Sequence, residues 1–182
     1  AEGAVSRAGG RSRFWLAQHS NLNSFHKDFL DESGQVKEEI EVEVYAISEL
    51  LDAHQRVDLV RMDIEGHEIE VLGGICDFVK AGKQRPPNII FETHTRSYSA
   101  ERNIESTIRE LASSGYNVKY VASSSEKGTR ILESMSLPTI KRIRTDDVVR
   151  TIHRDVPLEA LIHCLTVSGG IRTVFLEHVT RY

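Results

Sequence analysis

An apolar strand that runs into a cluster of acidic residues and then into a helix is the feature that most constrains this fold. Residues 57–64 are mostly aliphatic, which predicts a strand buried on both faces of a parallel sheet. Gly66 then permits a sharp turn, and apolar residues in 69–79 recur at helical spacing. Asp63 therefore lies at the carboxyl end of a strand, where α/β proteins place their binding crevices.

The rest of the chain predicts an alternation of strands and helices. Strands are predicted at 11–17, 40–46, 88–91, 116–122 and 172–180. Helices are predicted at 100–114, 146–153 and 158–165, with a short one capped by Ser48. Residues 123–140 are polar and predict an irregular excursion. This order predicts one α/β domain over 1–182, with a parallel sheet and right-handed crossovers.

Four residues are candidates for chemistry at the predicted crevice. Glu92 and His94 end the next predicted strand, and their spacing of two directs both side chains to one side. His94 suits accepting a proton from a hydroxyl near neutral pH. Asp63 could bind a substrate hydroxyl or act as a base, or it could only accept backbone N–H bonds from the helix. Glu65 could act in catalysis, although the helix dipole favours acids here, and the same effect accounts for Glu68.

A polar loop is predicted over 19–37, between the strands at 11–17 and 40–46. Within it Asn21, Asn23 and Ser24 are candidates to contact a polar substrate, although such residues are also ordinary loop formers. His67 lies beside the acids, and histidine with carboxylates suits a divalent ion. No helical spacing of histidines supports such a site, so no metal is predicted.

The segment 58–74, Asp-Leu-Val-Arg-Met-Asp-Ile-Glu-Gly-His-Glu-Ile-Glu-Val-Leu-Gly-Gly, is followed at 86–94 by Pro-Pro-Asn-Ile-Ile-Phe-Glu-Thr-His. This pair of motifs resembles the second half of an FkbM-type methyltransferase domain, most closely over residues 40–95. The resemblance implies a Rossmann-like class I sheet and S-adenosylmethionine as cofactor. It also implies methyl transfer to a hydroxyl of a small molecule or sugar. Asp63, Glu65 and His94 would then be catalytic, and Asn21, Asn23, Ser24 and Glu92 would bind the substrate.

Such families open with a strand and a glycine-rich turn that holds the cofactor. Here Gly9-Gly10 has no predicted strand before it, and Gly169-Gly170 precedes a strand. The chain also begins with Ala1, so we expect a copy that lacks its N-terminal strands and binds S-adenosylmethionine weakly or not at all. A non-catalytic remnant or interaction module is therefore the main alternative. A metal-dependent hydrolase using Asp63, Glu65, His67 and His94 is the third possibility.

Composition excludes several other classes. The net charge is -4, with acids and bases interleaved, so no basic surface predicts a nucleic-acid partner. No apolar run reaches the roughly 18 residues that span a bilayer, so no membrane partner is expected. Cys76 and Cys164 follow no metal spacing, which predicts buried thiols and fits a cytoplasmic protein. A homo-oligomer is expected if the crevice strand is left with an unpaired edge.

Overall fold

The computed structural model of the protein describes residues 3–18, 23–27, 36–82, 84–145 and 147–179. These residues form two sheets and five α-helices. The elements in chain order are β1 (Ala4–Ser6), β2 (Gly10–Ala17), β3 (Val36–Ala46), α1 (Ile47–Ala53), β4 (Leu59–Met62), α2 (Glu68–Ala81), β5 (Asn88–Glu92), a 3₁₀ turn (Thr95–Ser97), α3 (Ile104–Ser113), β6 (Tyr116–Ser123), α4 (Glu126–Ser134), β7 (Thr139–Thr145), β8 (Val148–Arg154), α5 (Leu158–His163), a π-helical turn (Cys164–Ser168) and β9 (Ile171–His178). No helix among the described residues is long and apolar enough to cross a membrane.

The smaller sheet contains three strands in the order β1-β3-β2. β2 pairs antiparallel with β3, so the strands predicted at 11–17 and 40–46 are neighbours in one sheet. β3 begins earlier than predicted, at Val36. The expected Ser48 cap is wrong, because α1 begins at Ile47 and its N-cap residue Ala46 offers no side-chain bond.

The larger sheet contains six strands in the order β4-β5-β9-β6-β8-β7. β4 and β5 pair in parallel, with Leu59 opposite Asn88 and Met62 opposite Phe91. The other pairs in this sheet are antiparallel, so the expected parallel sheet is confirmed for β4 and β5 and is wrong for the remaining strands. The reason is that β9 returns between β5 and β6 and runs against both.

β4 forms one edge of this sheet. The expectation of a strand buried on both faces is therefore wrong, because only alternate side chains meet the core. Met62 is buried, whereas Leu59 is 50% exposed and Arg61 is exposed. Within the described part of the chain, β4 has a strand partner on one side only. The β2–β3 hairpin belongs to the other sheet and does not pair with it.

Two predictions in the second half of the chain are also wrong. Residues 123–140 hold a regular helix, α4, whose N-cap Ser125 accepts a hydrogen bond from the N–H of Gly128. The predicted helix at 146–153 is strand β8, in a hairpin with β7. Its β-branched residues favour a strand: Val148, Val149, Thr151 and Ile152. Residue 146 lies outside the described chain.

The main core lies between the larger sheet and helices α2 and α3. Apolar side chains from both layers are at most 2% exposed: Leu72, Ile75, Ile89, Phe91, Ile108, Leu111, Val174 and Leu176. Both cysteines are free and buried, as predicted. Helix α2 ends at Ala81, and its C-cap residue Gly82 has the left-handed conformation that glycine adopts readily. This packing fixes the first turn of α2 at the carboxyl ends of β4 and β5.

Candidate active site

The parallel pairing of β4 and β5 brings the predicted site residues together. Because Met62 lies opposite Phe91, the residues that follow each strand emerge at the same edge of the sheet. His94 lies with its Nε2 3.7 Å from Asp63 Oδ1 and 3.4 Å from Glu65 Oε2. The predicted convergence of these three residues is therefore confirmed in geometry.

A strained turn joins β4 to α2. Glu65 has a φ of 49° and Gly66 a φ of 95°, so two consecutive residues are left-handed. A Cβ on Gly66 would lie 2.4 Å from the Cβ of Ser97, which excludes any larger residue without a shift. A left-handed glutamate is uncommon and persists only where surrounding contacts hold it.

Those contacts come from Glu68, whose side chain is fully buried. Its Oε1 accepts hydrogen bonds from the backbone N–H of Ile64 at 3.3 Å and of Gly66 at 3.2 Å. The same oxygen lies 2.8 Å from Nδ1 of His94. The hydroxyl of Tyr98 donates to Oε2 at 3.4 Å. Glu68, rather than Asp63, thus accepts the N–H groups of the turn.

The Glu68 contact sets the orientation of the His94 ring. A carboxylate only accepts hydrogen bonds, so Nδ1 carries the hydrogen and Nε2 faces Glu65 and Asp63. Burial by itself lowers the pKa of His94, but the hydrogen bond to Glu68 and the charges of the surrounding acids outweigh it and raise the pKa above its ordinary value. Burial also raises the pKa of Glu65, with opposition from His94. His94 therefore lies next to Glu65, a carboxyl group whose pKa is also raised.

A cavity of about 740 Å³ adjoins this cluster, between the edge of β4 and the smaller sheet. Its polar lining includes Asp63, Glu65, Glu92 and Arg172, and Glu92 Oε1 is 2.8 Å from Arg172 Nε. Its apolar lining comes from both sheets and from α1 and α2: Val5, Phe14, Phe25, Ile47, Val60, Met62, Ile64 and Val71.

The predicted substrate-binding residues of the polar loop over 19–37 differ in their positions. Asn23 lines the cavity, and its Oδ1 accepts a hydrogen bond from the N–H of Ala17 at 2.9 Å. Ser24 is buried, and its hydroxyl donates to the carbonyl oxygen of Glu65 at 3.2 Å. This contact ties the loop to the strained turn. Asn21 lies outside the described residues.

His67 points into a second cluster, not into the first. Its Nδ1 is 3.3 Å from His26 Nε2 and 3.5 Å from Glu70 Oε2, and its Nε2 is 2.9 Å from Ser6 Oγ. Burial lowers the pKa of His67 to about 4. Among the described residues, Asp63, Glu65 and His94 form one potential ligand group and His26, His67 and Glu70 form another. The four-residue metal site considered from the sequence is therefore not assembled.

Three residues contribute to the candidate site in ways that the sequence analysis does not predict: Tyr98, Arg102 and Glu68. Tyr98 and Arg102 received no role, yet Tyr98 contacts Glu68, and Arg102 bonds the carbonyl of Gly66 and the Glu70 carboxylate. Glu68 was explained by the helix dipole alone. The available signal was its place in the Asp-x-Glu-Gly-x-Glu turn, because an acid there reaches back to the N–H groups of the turn.

Comparison with models of known protein families gives a match to part of the chain. The family model described as the methyltransferase FkbM domain matches residues 3–118. The match runs from β1 to the start of β6 and includes both polar clusters and the cavity lining apart from Arg172. No match was found among curated proteins. No solved structure matches either.

Proposed function

The chain belongs to the methyltransferase FkbM domain family, and we propose that it transfers a methyl group from S-adenosylmethionine to a hydroxyl of a small molecule or sugar. Family membership supports methyl transfer in general. The single observation that supports hydroxyl chemistry is the His94 ring, held by the buried Glu68 with its Nε2 3.4 Å from Oε2 of Glu65, which lines the cavity. The site is thus equipped to remove a proton from an acceptor.

The cavity residues fit the chemistry of the cofactor. S-adenosylmethionine carries a positive sulfonium, ribose hydroxyls and a flat apolar base. The acids Asp63, Glu65 and Glu92 suit a cation and hydroxyl groups, while the aliphatic and aromatic lining suits the base. The volume of about 740 Å³ lies within the range of small-molecule sites, about 300–1,000 Å³. When bound, the cofactor supplies an electrophilic methyl group.

The role that we propose for His94 is general base. In its neutral form the Nε2 lone pair would take the proton of the acceptor hydroxyl. S-adenosylmethionine would supply the methyl group, with cleavage of its sulfur–methyl bond and release of S-adenosylhomocysteine. The resulting imidazolium is stabilised by Glu68 on one nitrogen and by Glu65 and Asp63 near the other. Glu92, Asn23 and the neighbouring acids would position the acceptor, which supplies much of the rate in a displacement.

The test begins with cofactor binding, because it needs no knowledge of the acceptor. We expect calorimetry to show weak binding of S-adenosylmethionine to the 182-residue chain, with a Kd of about 0.1–1 mM, since the sequence offers no glycine-rich turn after a strand to hold the cofactor. Asp63→Asn should change this affinity less than it changes turnover. No binding at several times that concentration would contradict the cofactor assignment and favour a non-catalytic interaction module.

Turnover is then measured with a panel of sugars and small alcohols, by release of S-adenosylhomocysteine. His94→Gln and Asp63→Asn should each lower kcat more than they weaken cofactor binding. His54→Gln is a matched control, because His54 is exposed and its Nδ1 hydrogen-bonds to the carbonyl oxygen of Leu50, four residues earlier in the chain. Equal turnover in the wild type, His94→Gln and Asp63→Asn would reduce both residues to structural roles.

A further inference from the structure

The second polar cluster consists of His26, His67 and Glu70, and the methyl-transfer proposal does not use it. His26 lies in the short described segment 23–27, whereas His67 and Glu70 lie at the start of α2. One ligand atom from each of the three residues lies within 4.8 Å of the others. We propose that these three side chains bind one divalent transition-metal ion of the zinc class.

The distances fit a single ion. Zinc binds histidine nitrogen and carboxylate oxygen at about 2.0–2.2 Å, so two ligands of a tetrahedral ion lie about 3.3–3.5 Å apart. The His67 Nδ1 to His26 Nε2 distance is 3.3 Å, and the His67 Nδ1 to Glu70 Oε2 distance is 3.5 Å. Two imidazoles and one carboxylate form a donor set that suits zinc, iron or manganese.

Hydrogen bonding explains this geometry less well. Nδ1 of His67 has either one hydrogen or one lone pair, so it cannot serve His26 and Glu70 at the same time. Both separations also exceed the usual 2.7–3.2 Å of a nitrogen hydrogen bond. A metal ion between them could accept a lone pair from all three groups at once.

The surrounding residues hold the ligands as outer-shell groups do in metal sites. Ser6 Oγ lies 2.9 Å from the other nitrogen of His67, and Arg102 Nε donates to Oε1 of Glu70 at 2.9 Å. Phe25 stacks on the His67 ring with a centroid distance of 4.2 Å. Oε2 of Glu70 lies 3.4 Å from Nη2 of Arg102 and 3.5 Å from Nδ1 of His67.

The site borders the large cavity, because His67 and Phe25 line it. Three protein ligands leave at least one coordination position of a zinc ion for water or another oxygen ligand. The ion would also link segment 23–27 to the start of α2. The two ligands His26 and His67 are 41 residues apart in the sequence. Its expected effects are therefore both local stabilisation and a ligand position at the cavity wall.

The experiment is a zinc titration of the full chain after removal of metal with a chelator, without S-adenosylmethionine. Calorimetry should show one Zn²⁺ per chain, and Co²⁺ should give the visible absorption of a four- or five-coordinate site. His26→Ala and Glu70→Gln should each weaken binding by at least about tenfold. His54→Ala, which removes an exposed histidine elsewhere, should leave the affinity unchanged.

Two outcomes would overturn the proposal. One is the absence of stoichiometric Zn²⁺ binding by the wild-type chain. The other is binding that survives His26→Ala and Glu70→Gln but is lost in His94→Ala, which would assign the ion to the Asp63–Glu65–His94 group. Circular dichroism of each variant verifies folding, and Glu70→Gln preserves shape if His26→Ala does not fold. Because no cofactor or acceptor is present, failure here leaves the methyl-transfer proposal unaffected.

Discussion

Replacement of Glu68 by alanine tests the centre of the site most directly. The carboxylate is fully buried and serves three nitrogen donors, namely the backbone N–H groups of Ile64 and Gly66 and Nδ1 of His94. Alanine leaves all three without this acceptor, and the strained turn loses the contact that spans it. We therefore expect a large loss of folding stability, not merely a loss of activity.

The size of the loss follows from the burial of each donor. A buried donor left unsatisfied costs about 1–3 kcal/mol. The Gly66 bond is buried and the other two are partly buried, so the sum should be about 3–5 kcal/mol, as for other broken buried charge pairs. Glu68→Gln keeps an amide oxygen for the backbone donors and should lose only about 1–2 kcal/mol.

Urea denaturation followed by circular dichroism measures these differences in the free energy of unfolding. They are seen as shifts in the midpoint urea concentration, provided that the dependence of the free energy on urea concentration is unchanged. The matched control is Glu110→Ala, because Glu110 also lies on a helix and pairs with Lys80, but at the surface. That exposed pair should be worth no more than about 1 kcal/mol. A Glu68→Ala loss as small as that of the control would refute the idea that Glu68 holds the turn.

Three further predictions concern pH, packing and association. Because the pKa of His94 is raised, its contribution to folding stability is present below about pH 6.5 and is lost as the pH rises through the pKa of the folded state. Turnover should rise over the same pH range. Glu68→Gln should move the measured pH–rate profile to lower pH. Gly128→Ala should lower the midpoint of thermal unfolding more than Gly82→Ala does. The reason is that a Cβ at position 128 would lie 2.3 Å from the carbonyl oxygen of Gly170, whereas a Cβ at position 82 would meet no atom within 4 Å. Light scattering should show a dimer or larger species that Leu59→Lys weakens, and a monomer at all concentrations would contradict an associating β4 edge.

The local parts of the fold were predictable because short-range patterns determine them. The strand, turn and helix from β4 to α2, the glycine C-cap and the return strand β5 each follow from residues within one or two turns of each other. A helical crossover between successive strands favours parallel pairing, and that rule places Asp63 and His94 at one edge. Convergence of the first cluster was therefore accessible from sequence.

Strand order was not accessible in the same way. Periodicity predicted β9, but nothing in it shows that the last strand inserts between β5 and β6, antiparallel to both. β8 is a strand where the sequence predicts a helix. Its burial does not alternate along the strand, because the successive residues Arg150 and Thr151 are both buried. Such errors arise where contacts distant in sequence decide which side chains are buried.

The first turn of α2 shows why a sufficient local explanation can still miss a site. The helix dipole favours an acid at positions 68 and 70 equally well, so it accounts for both glutamates and distinguishes neither. Burial distinguishes them, because a charge without water needs partners, and those of Glu68 include a histidine 26 residues further along the chain. Glu70 is only partly buried and contacts Arg102, 32 residues away. The identity of a buried acid is thus determined by residues that no local rule considers, and an acid with several long-range donors is a stronger functional candidate than its helix position indicates.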